Sequence, residues 1–199
     1  MAVTIDYYFA PQSPWTYLGH ARFAALAAAH GAVVRVKPVD FGAIFPVSGG
    51  LPLPKRAPQR QAYRLVELAR WSEHLGLPLH LQPTFFPVAA DPSAKLIHAV
   101  DAADGTAAAM DLSHRVFRSC WVQQRDIASD TTLAELLAEA GLPAARLGES
   151  KGEATAARYA ACTQEAIAAN VFGAPSYVID GEIFWGQDRL DFVERRLKR

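Results

Sequence analysis

The chain has 199 residues, of which 51% are hydrophobic, so it can bury a sizeable core as one domain or as one domain with a large insertion. Twenty basic and twenty acidic residues cancel to a net charge of zero without long runs of either sign, and we therefore expect no nucleic-acid partner. No export signal and no run of 18 apolar residues is present, so we expect no membrane contact and a cytoplasmic location.

The first part of the chain reads as a β-α-β unit. Alternating apolar residues predict strands over 3–9 and 33–39, and an amphipathic pattern predicts a helix over 14–30. Ser13 is placed to cap this helix, and Pro14 suits its first position, where a missing N–H costs nothing. Because a helix of this length connects them, the two strands should be parallel.

The middle of the chain predicts mostly helices. Residues 40 to 58 are rich in Gly, Pro and Ser, which is typical of a long surface loop. Periodicity and cap signals then place helices at about 59–75, 92–104, 106–123, 130–140 and 153–169.

The last part of the chain returns to strands. Two short apolar runs, 176–179 and 182–185, flank Asp180-Gly181, which is a strong hairpin signal, and a helix follows from Asp188 to Leu197. The order β-α-β, helices, β-β-α predicts an α/β fold: a thioredoxin-like four-stranded mixed sheet with a large all-helical insertion between the two halves. We assign residues 1–50 and 171–199 to the thioredoxin-like domain and 51–170 to the insertion.

Two places in this arrangement favour binding. The helix start at Ser13 gathers free N–H groups and favours an anion, although Ser13 serves equally well as a plain cap. In the thioredoxin arrangement the proline that opens the third strand is cis and faces the first helix, so we expect a cis Ala174-Pro175 bond and a free Ala174 backbone for an extended ligand. The two cysteines, Cys120 and Cys162, have no metal-ligand or redox spacing, and no metal site is expected.

The chain also resembles a known family. The motifs that carry the resemblance are Asp6-Tyr7-Tyr8-Phe9, Ser13-Pro14-Trp15-Thr16-Tyr17-Leu18, Arg70-Trp71, Phe86-Pro87-Val88, Asp126-Ile127, Val171-Phe172-Gly173-Ala174-Pro175 and Phe184-Trp185-Gly186-Gln187-Asp188-Arg189-Leu190. They resemble the 2-hydroxychromene-2-carboxylate isomerases, which are related to kappa-class glutathione transferases and to the DsbA disulfide oxidants. Ser13 and Thr16 stand where the oxidants carry both cysteines, which excludes dithiol redox chemistry here.

The resemblance implies glutathione as cofactor and Ser13 as the catalytic residue, donating a hydrogen bond to the glutathione sulfur. Asp188, which also suits a helix cap, would pair with the γ-glutamyl ammonium. The residues implied to bind glutathione are Ser13, Ala174, Pro175, Trp185, Gly186, Gln187 and Asp188.

The resemblance implies an aromatic carboxylate as substrate, with Lys55 and Phe86 as contacts. A solvated loop lysine and a core phenylalanine are the alternatives. The relative used for comparison has a lysine near the position of Phe45 and an asparagine near that of Pro54, so the exact substrate stays open. The alternative functions are a kappa-like glutathione transferase or peroxidase, and a non-catalytic thioredoxin-fold binding module. We expect a homodimer.

Overall fold

The computed structural model describes residues 2–199. Four strands and nine α-helices follow one another within this range. They are β1 (Thr4–Phe9), α1 (Pro14–Ala29), β2 (Val33–Pro38), α2 (Phe41–Ser48), α3 (Pro58–Leu75), α4 (Asp91–Asp104), α5 (Thr106–Trp121), α6 (Asp130–Glu139), α7 (Ala145–Glu149), α8 (Glu153–Ala168), β3 (Ser176–Ile179), β4 (Glu182–Trp185) and α9 (Leu190–Leu197). Short 3₁₀ turns lie at Leu53–Lys55 and Gln187–Arg189.

The strands form one mixed sheet in the order β2-β1-β3-β4. As predicted, β1 and β2 are parallel, whereas β3 is antiparallel to both β1 and β4. The hairpin turn has positive φ at Asp180 (50°) and Gly181 (82°), the conformation that an Asp-Gly pair adopts at little cost. The predicted fold class is therefore confirmed.

A continuous core joins the sheet to the helices. Tyr7 on β1 contacts Phe23 on α1, with ring centroids 4.6 Å apart, and Phe9 on β1 contacts Phe117 on α5, with ring centroids 5.5 Å apart. Trp121, at the end of α5, is fully buried in the same cluster. Residues assigned to the two predicted domains thus share apolar contacts, and the domain boundaries stay a prediction.

The predicted loop over 40–58 is wrong in its first half, where α2 lies. Asp40 caps this helix by accepting the Gly42 N–H at 2.6 Å, and Phe41 and Ile44 are buried beneath it. Burial of these apolar side chains stabilises the helix although the segment is rich in Pro and Gly. The short helix α7 was also not predicted. Among residues 2–199 no helix is long and apolar enough to cross a membrane.

Candidate functional site

Ser13 lies at the N-terminus of α1, as predicted. Its Oγ accepts the Thr16 N–H at 3.2 Å, and its own N–H donates to the Ala10 carbonyl at 2.9 Å. The hydroxyl hydrogen of Ser13 has no acceptor within residues 2–199. The side chain is partly buried, so this hydrogen is available to a ligand at the helix start.

Ala174 lies two residues before β3. Because β3 is antiparallel to β1 and Ser176 pairs with Tyr8, the start of β3 lies at the end of β1 that leads into α1. The Ala174-Pro175 bond is cis, as predicted. No hydrogen bond within the described chain uses the Ala174 N–H or carbonyl. Both groups can therefore pair with an extended backbone.

Trp185 closes one side of this segment. Its indole lies against Gly173, where a Cβ would overlap the ring, and it makes an edge-to-face contact with Phe172 at 4.9 Å. The Gly186 N–H donates to the Pro175 carbonyl at 2.9 Å, which ties the end of β4 to the start of β3. Trp185 is half exposed, so its ring presents an apolar surface beside Ala174.

Gln187 fixes the same segment to α1. Arg22 on α1 donates to the Gln187 backbone carbonyl at 2.9 Å and also contacts its side-chain oxygen. Gly19 on α1 allows this approach, since a Cβ at that position would lie 2.8 Å from the Gln187 Cβ. Because Gln187 is buried and held by these contacts, it fixes the positions of the residues on either side of it.

Asp188 is exposed at the same end of the sheet. Its carboxylate pairs with Arg189 at 2.8 Å, and both side chains face solvent. Exposed ion pairs contribute at most about 1 kcal/mol, so this one can exchange for a ligand cation at little cost. The predicted final helix begins two residues later than expected, because Asp188 belongs to a 3₁₀ turn rather than to α9.

The helix start and the segment before β3 offer complementary groups to a ligand. The Ser13 hydrogen, the helix dipole and the Ala174 backbone supply donors and an acceptor of the kind that a thiolate and a peptide backbone require.

The two predicted substrate contacts, Lys55 and Phe86, lie in the segment 51–170 that holds most of the helices. Lys55 is exposed in a 3₁₀ turn and forms no ion pair within residues 2–199. Phe86 is partly buried and packs on Trp121 with ring centroids 4.8 Å apart. The Phe86-Pro87 bond is cis, which was not predicted. Phe86 is thus part core and part surface.

Arg64 on α3 is a residue that sequence reasoning missed. Its guanidinium lies 5.2 Å from the centroid of Phe86 and 5.8 Å from that of Trp121. Burial, with a smaller contribution from Arg56, lowers the pKa of Arg64 to about 10. A signal was present in the sequence, since no acidic residue occurs between Phe41 and Val66.

Neither cysteine of the chain offers an accessible thiol. Cys120 and Cys162 are both buried and unpaired with each other. Burial raises the pKa of Cys120 to about 12 and also raises that of Cys162, so both thiols are unreactive at neutral pH. The search for clusters of His, Cys, Asp and Glu that could hold a metal found none among residues 2–199.

The fold and the cleft define a class of protein. A family model for the DSBA-like thioredoxin domain matches residues 4–198, and the chain belongs to this family. The only cysteines of the chain are Cys120 and Cys162, so the start of α1 carries no Cys-x-x-Cys dithiol.

Similar proteins point to isomerases within that class, and they confirm the resemblance. A 2-hydroxychromene-2-carboxylate isomerase of Sphingobium xenophagum is 29% identical over 199 residues, covering 99% of both chains. One from Pseudomonas putida is 28% identical and covers 98% of this chain and 94% of its own. A solved 2-hydroxychromene-2-carboxylate isomerase superposes with a TM-score of 0.84 at 25% identity, covering 98% of this chain and 95% of that one.

Proposed function

We propose that the chain is a glutathione-dependent isomerase that converts 2-hydroxychromene-2-carboxylate to trans-o-hydroxybenzylidenepyruvate in the cytoplasm. The observation that carries the proposal is the Ser13 hydroxyl at the N-terminus of α1, which donates no hydrogen bond within residues 2–199, together with an Ala174 backbone that makes no hydrogen bond there. The names of the full-length relatives support the reaction. A fold neighbour, the disulfide reductase DsbM of Pseudomonas aeruginosa, has been solved with GSH at a TM-score of 0.71 and 23% identity.

The chain's residues have distinct tasks in this proposal. Ser13, Ala174 and Asp188 would hold glutathione, which would supply a thiolate nucleophile for reversible addition to the conjugated, ring-opened substrate and would be regenerated unchanged. Ser13 donates its hydroxyl hydrogen to the sulfur, and the first-turn N–H groups of α1 add positive potential, which together lower the thiol pKa. Ala174 pairs with the cysteinyl backbone, and Asp188 pairs with the γ-glutamyl ammonium.

Substitution of Ser13 by alanine tests the catalytic role. Ser13→Ala should bind glutathione nearly as well as the wild type but isomerise about 10- to 100-fold more slowly, because losing one donor removes about 1.4–2.7 kcal/mol of thiolate stabilisation. The measurement combines isomerase turnover with the ultraviolet absorbance of the bound thiolate as a function of pH. Glutathione should not be consumed, which separates an isomerase from a transferase or peroxidase.

A second capping variant serves as the control, because Ser13→Ala also removes a helix cap. Asp40→Ala removes the cap of α2, where Asp40 accepts the Gly42 N–H. It should cost a similar 0.5–2 kcal/mol of stability and leave the thiolate titration unchanged. Equal titration and equal turnover in Ser13→Ala and wild type would show that Ser13 is a cap alone.

We also propose that the protein is a homodimer. Sedimentation velocity, which gives the mass of the particle in solution, tests this.

A further inference from the structure

The segment between Phe41 and Val66, which leads into the helical part of the chain, is positively charged. Between Phe41 and Val66 the chain carries four basic residues and no acidic ones, a charge of +4 in a protein whose net charge is zero. None of the four forms an ion pair within residues 2–199, and the first following acid, Glu67, is held by Arg70 at 2.8 Å. The four are Lys55, Arg56, Arg60 and Arg64. This segment therefore lacks a neutralising partner in the described chain.

Arg64 differs from the others in its surroundings. Lys55 and Arg60 are exposed, whereas Arg64 is partly buried with its guanidinium over the rings of Phe86 and Trp121. A cation–π contact of this kind does not consume the N–H donors of the guanidinium. Arg64 makes no ion pair and no side-chain hydrogen bond within residues 2–199. Arg64 still carries its charge at neutral pH, since its pKa is about 10.

The position of Arg64 suits a planar anion attached to an aromatic ring. A carboxylate accepts two parallel N–H bonds from one guanidinium, and the partly exposed Phe86 ring offers an apolar surface next to it. Helix α3, which carries Arg64, packs against α1, which begins at Ser13.

We infer that Arg64 is the carboxylate-recognition residue of this protein and binds the carboxylate of an aromatic substrate through its free guanidinium edge. The inference rests on the proposed function for the identity of that substrate. Arg56 places a second cation nearby, and its own side chain is committed to the Leu51 carbonyl at 2.8 Å. Lys55 and Arg60 attract the anion towards the segment, and Arg64 holds it.

The competing role for Arg64 is packing, because its aliphatic stem and flat head cover Trp121. Binding of a stable probe separates the two roles without any turnover. Calorimetry with chromone-2-carboxylate and with the uncharged chromone-2-carboxamide measures how strongly the protein prefers the charge. Failure of isomerisation in any assay would refute the proposed function and leave this measurement unaffected.

Three variants complete the test. Arg64→Met keeps an apolar stem over the rings, Arg64→Lys keeps the charge without the fork, and Arg60→Met removes an exposed cation one helical turn earlier. We expect wild type to prefer the carboxylate by at least tenfold. Arg64→Met should bind the carboxylate 10- to 100-fold more weakly, with carboxamide binding unchanged, and Arg60→Met should lose less than threefold.

Retention of the charge preference in Arg64→Met would overturn the inference. An equal loss in Arg60→Met would also overturn it, since the preference would then come from the summed charge of the segment. If Arg64→Met does not fold, Arg64→Lys decides, because lysine keeps the charge but lacks the paired N–H donors of a guanidinium. A carboxylate affinity lower by about threefold or more, with carboxamide affinity unchanged, supports recognition by those donors, and unchanged affinity for both probes refutes it.

Discussion

Replacement of Gly19 by alanine tests whether α1 holds the Gln187 segment in place. Gly19 lies inside α1, where exchanging Gly for Ala ordinarily stabilises a helix by about 1 kcal/mol. Here the new Cβ would lie 2.8 Å from the Gln187 Cβ, 3.1 Å from the Tyr177 hydroxyl and 3.3 Å from the Gln187 Cα. The first and last of these atoms belong to a buried residue whose backbone Arg22 holds, so they cannot move aside freely.

The sign of the effect follows from comparing two magnitudes. Overpacking of a filled site costs about 1–3 kcal/mol, which equals or exceeds the gain of about 1 kcal/mol from helix propensity. Gly19→Ala should therefore lower the free energy of unfolding by about 0–2 kcal/mol. Because the strain falls on Gln187, the neighbouring Trp185 and Asp188 should shift as well, and glutathione binding should weaken.

Gly148→Ala is the matched control. Gly148 lies in helix α7, and a Cβ there would meet no atom within 4 Å. This variant should gain about 0.5–1 kcal/mol and leave glutathione affinity unchanged. Urea unfolding gives the free energies, and calorimetry gives the affinities. If Gly19→Ala were as stabilising as Gly148→Ala and bound glutathione normally, the close packing of α1 on Gln187 would be refuted.

Three further outcomes follow from side chains at the site and in the core. Asp188→Ala should weaken glutathione binding about tenfold by calorimetry, and unchanged affinity would remove Asp188 from the site. Leu68→Ala, in the core, should lower the unfolding free energy by about 2–5 kcal/mol, whereas Val66→Ala, at a half-exposed position two residues earlier, should change it by less than about 0.5. Burial lowers the pKa of His20 and of His98 to about 4 in the folded chain, whereas both side chains take up a proton at about pH 6.5 when the chain is unfolded. The free energy of unfolding should therefore fall as the pH drops from about 6.5 to 4, and a flat profile over that range would contradict this.

The sheet was predictable because its signals are local. Alternating apolar residues marked β1 and β2, the Asp180-Gly181 pair marked the hairpin, and the helix between the first two strands fixed them as parallel. The approach of β3 to β1 required the ends of the chain to meet, which the order of elements implied. The cis Ala174-Pro175 bond followed from the same arrangement, since this proline opens the strand that pairs with β1.

Features that depend on tertiary contacts were not predictable. Helix α2 was missed because its Gly- and Pro-rich composition favours a loop, and it is burial of Phe41 and Ile44 that stabilises it. The acid-free segment around Arg64 is visible in the sequence, but it does not single out Arg64 among four cations, because the contacts of Arg64 with Phe86 and Trp121 are made 22 and 57 residues further along the chain. The predicted contact Lys55 belongs to the same acid-free segment and stays a prediction.

The cleft itself limits which sulfur chemistry this fold can perform. Thr16, in the first turn of α1, is fully buried, and its hydroxyl has no partner among residues 2–199. Cys120 and Cys162 are buried, and burial raises the pKa of both thiols away from the thiolate form. In the proposed function, the thiolate at Ser13 therefore comes from another molecule. A helix N-terminus lowers a thiol pKa whether that thiol belongs to the protein or to a ligand, so the start of α1 can stabilise an external thiolate beside a hydrogen-bond donor.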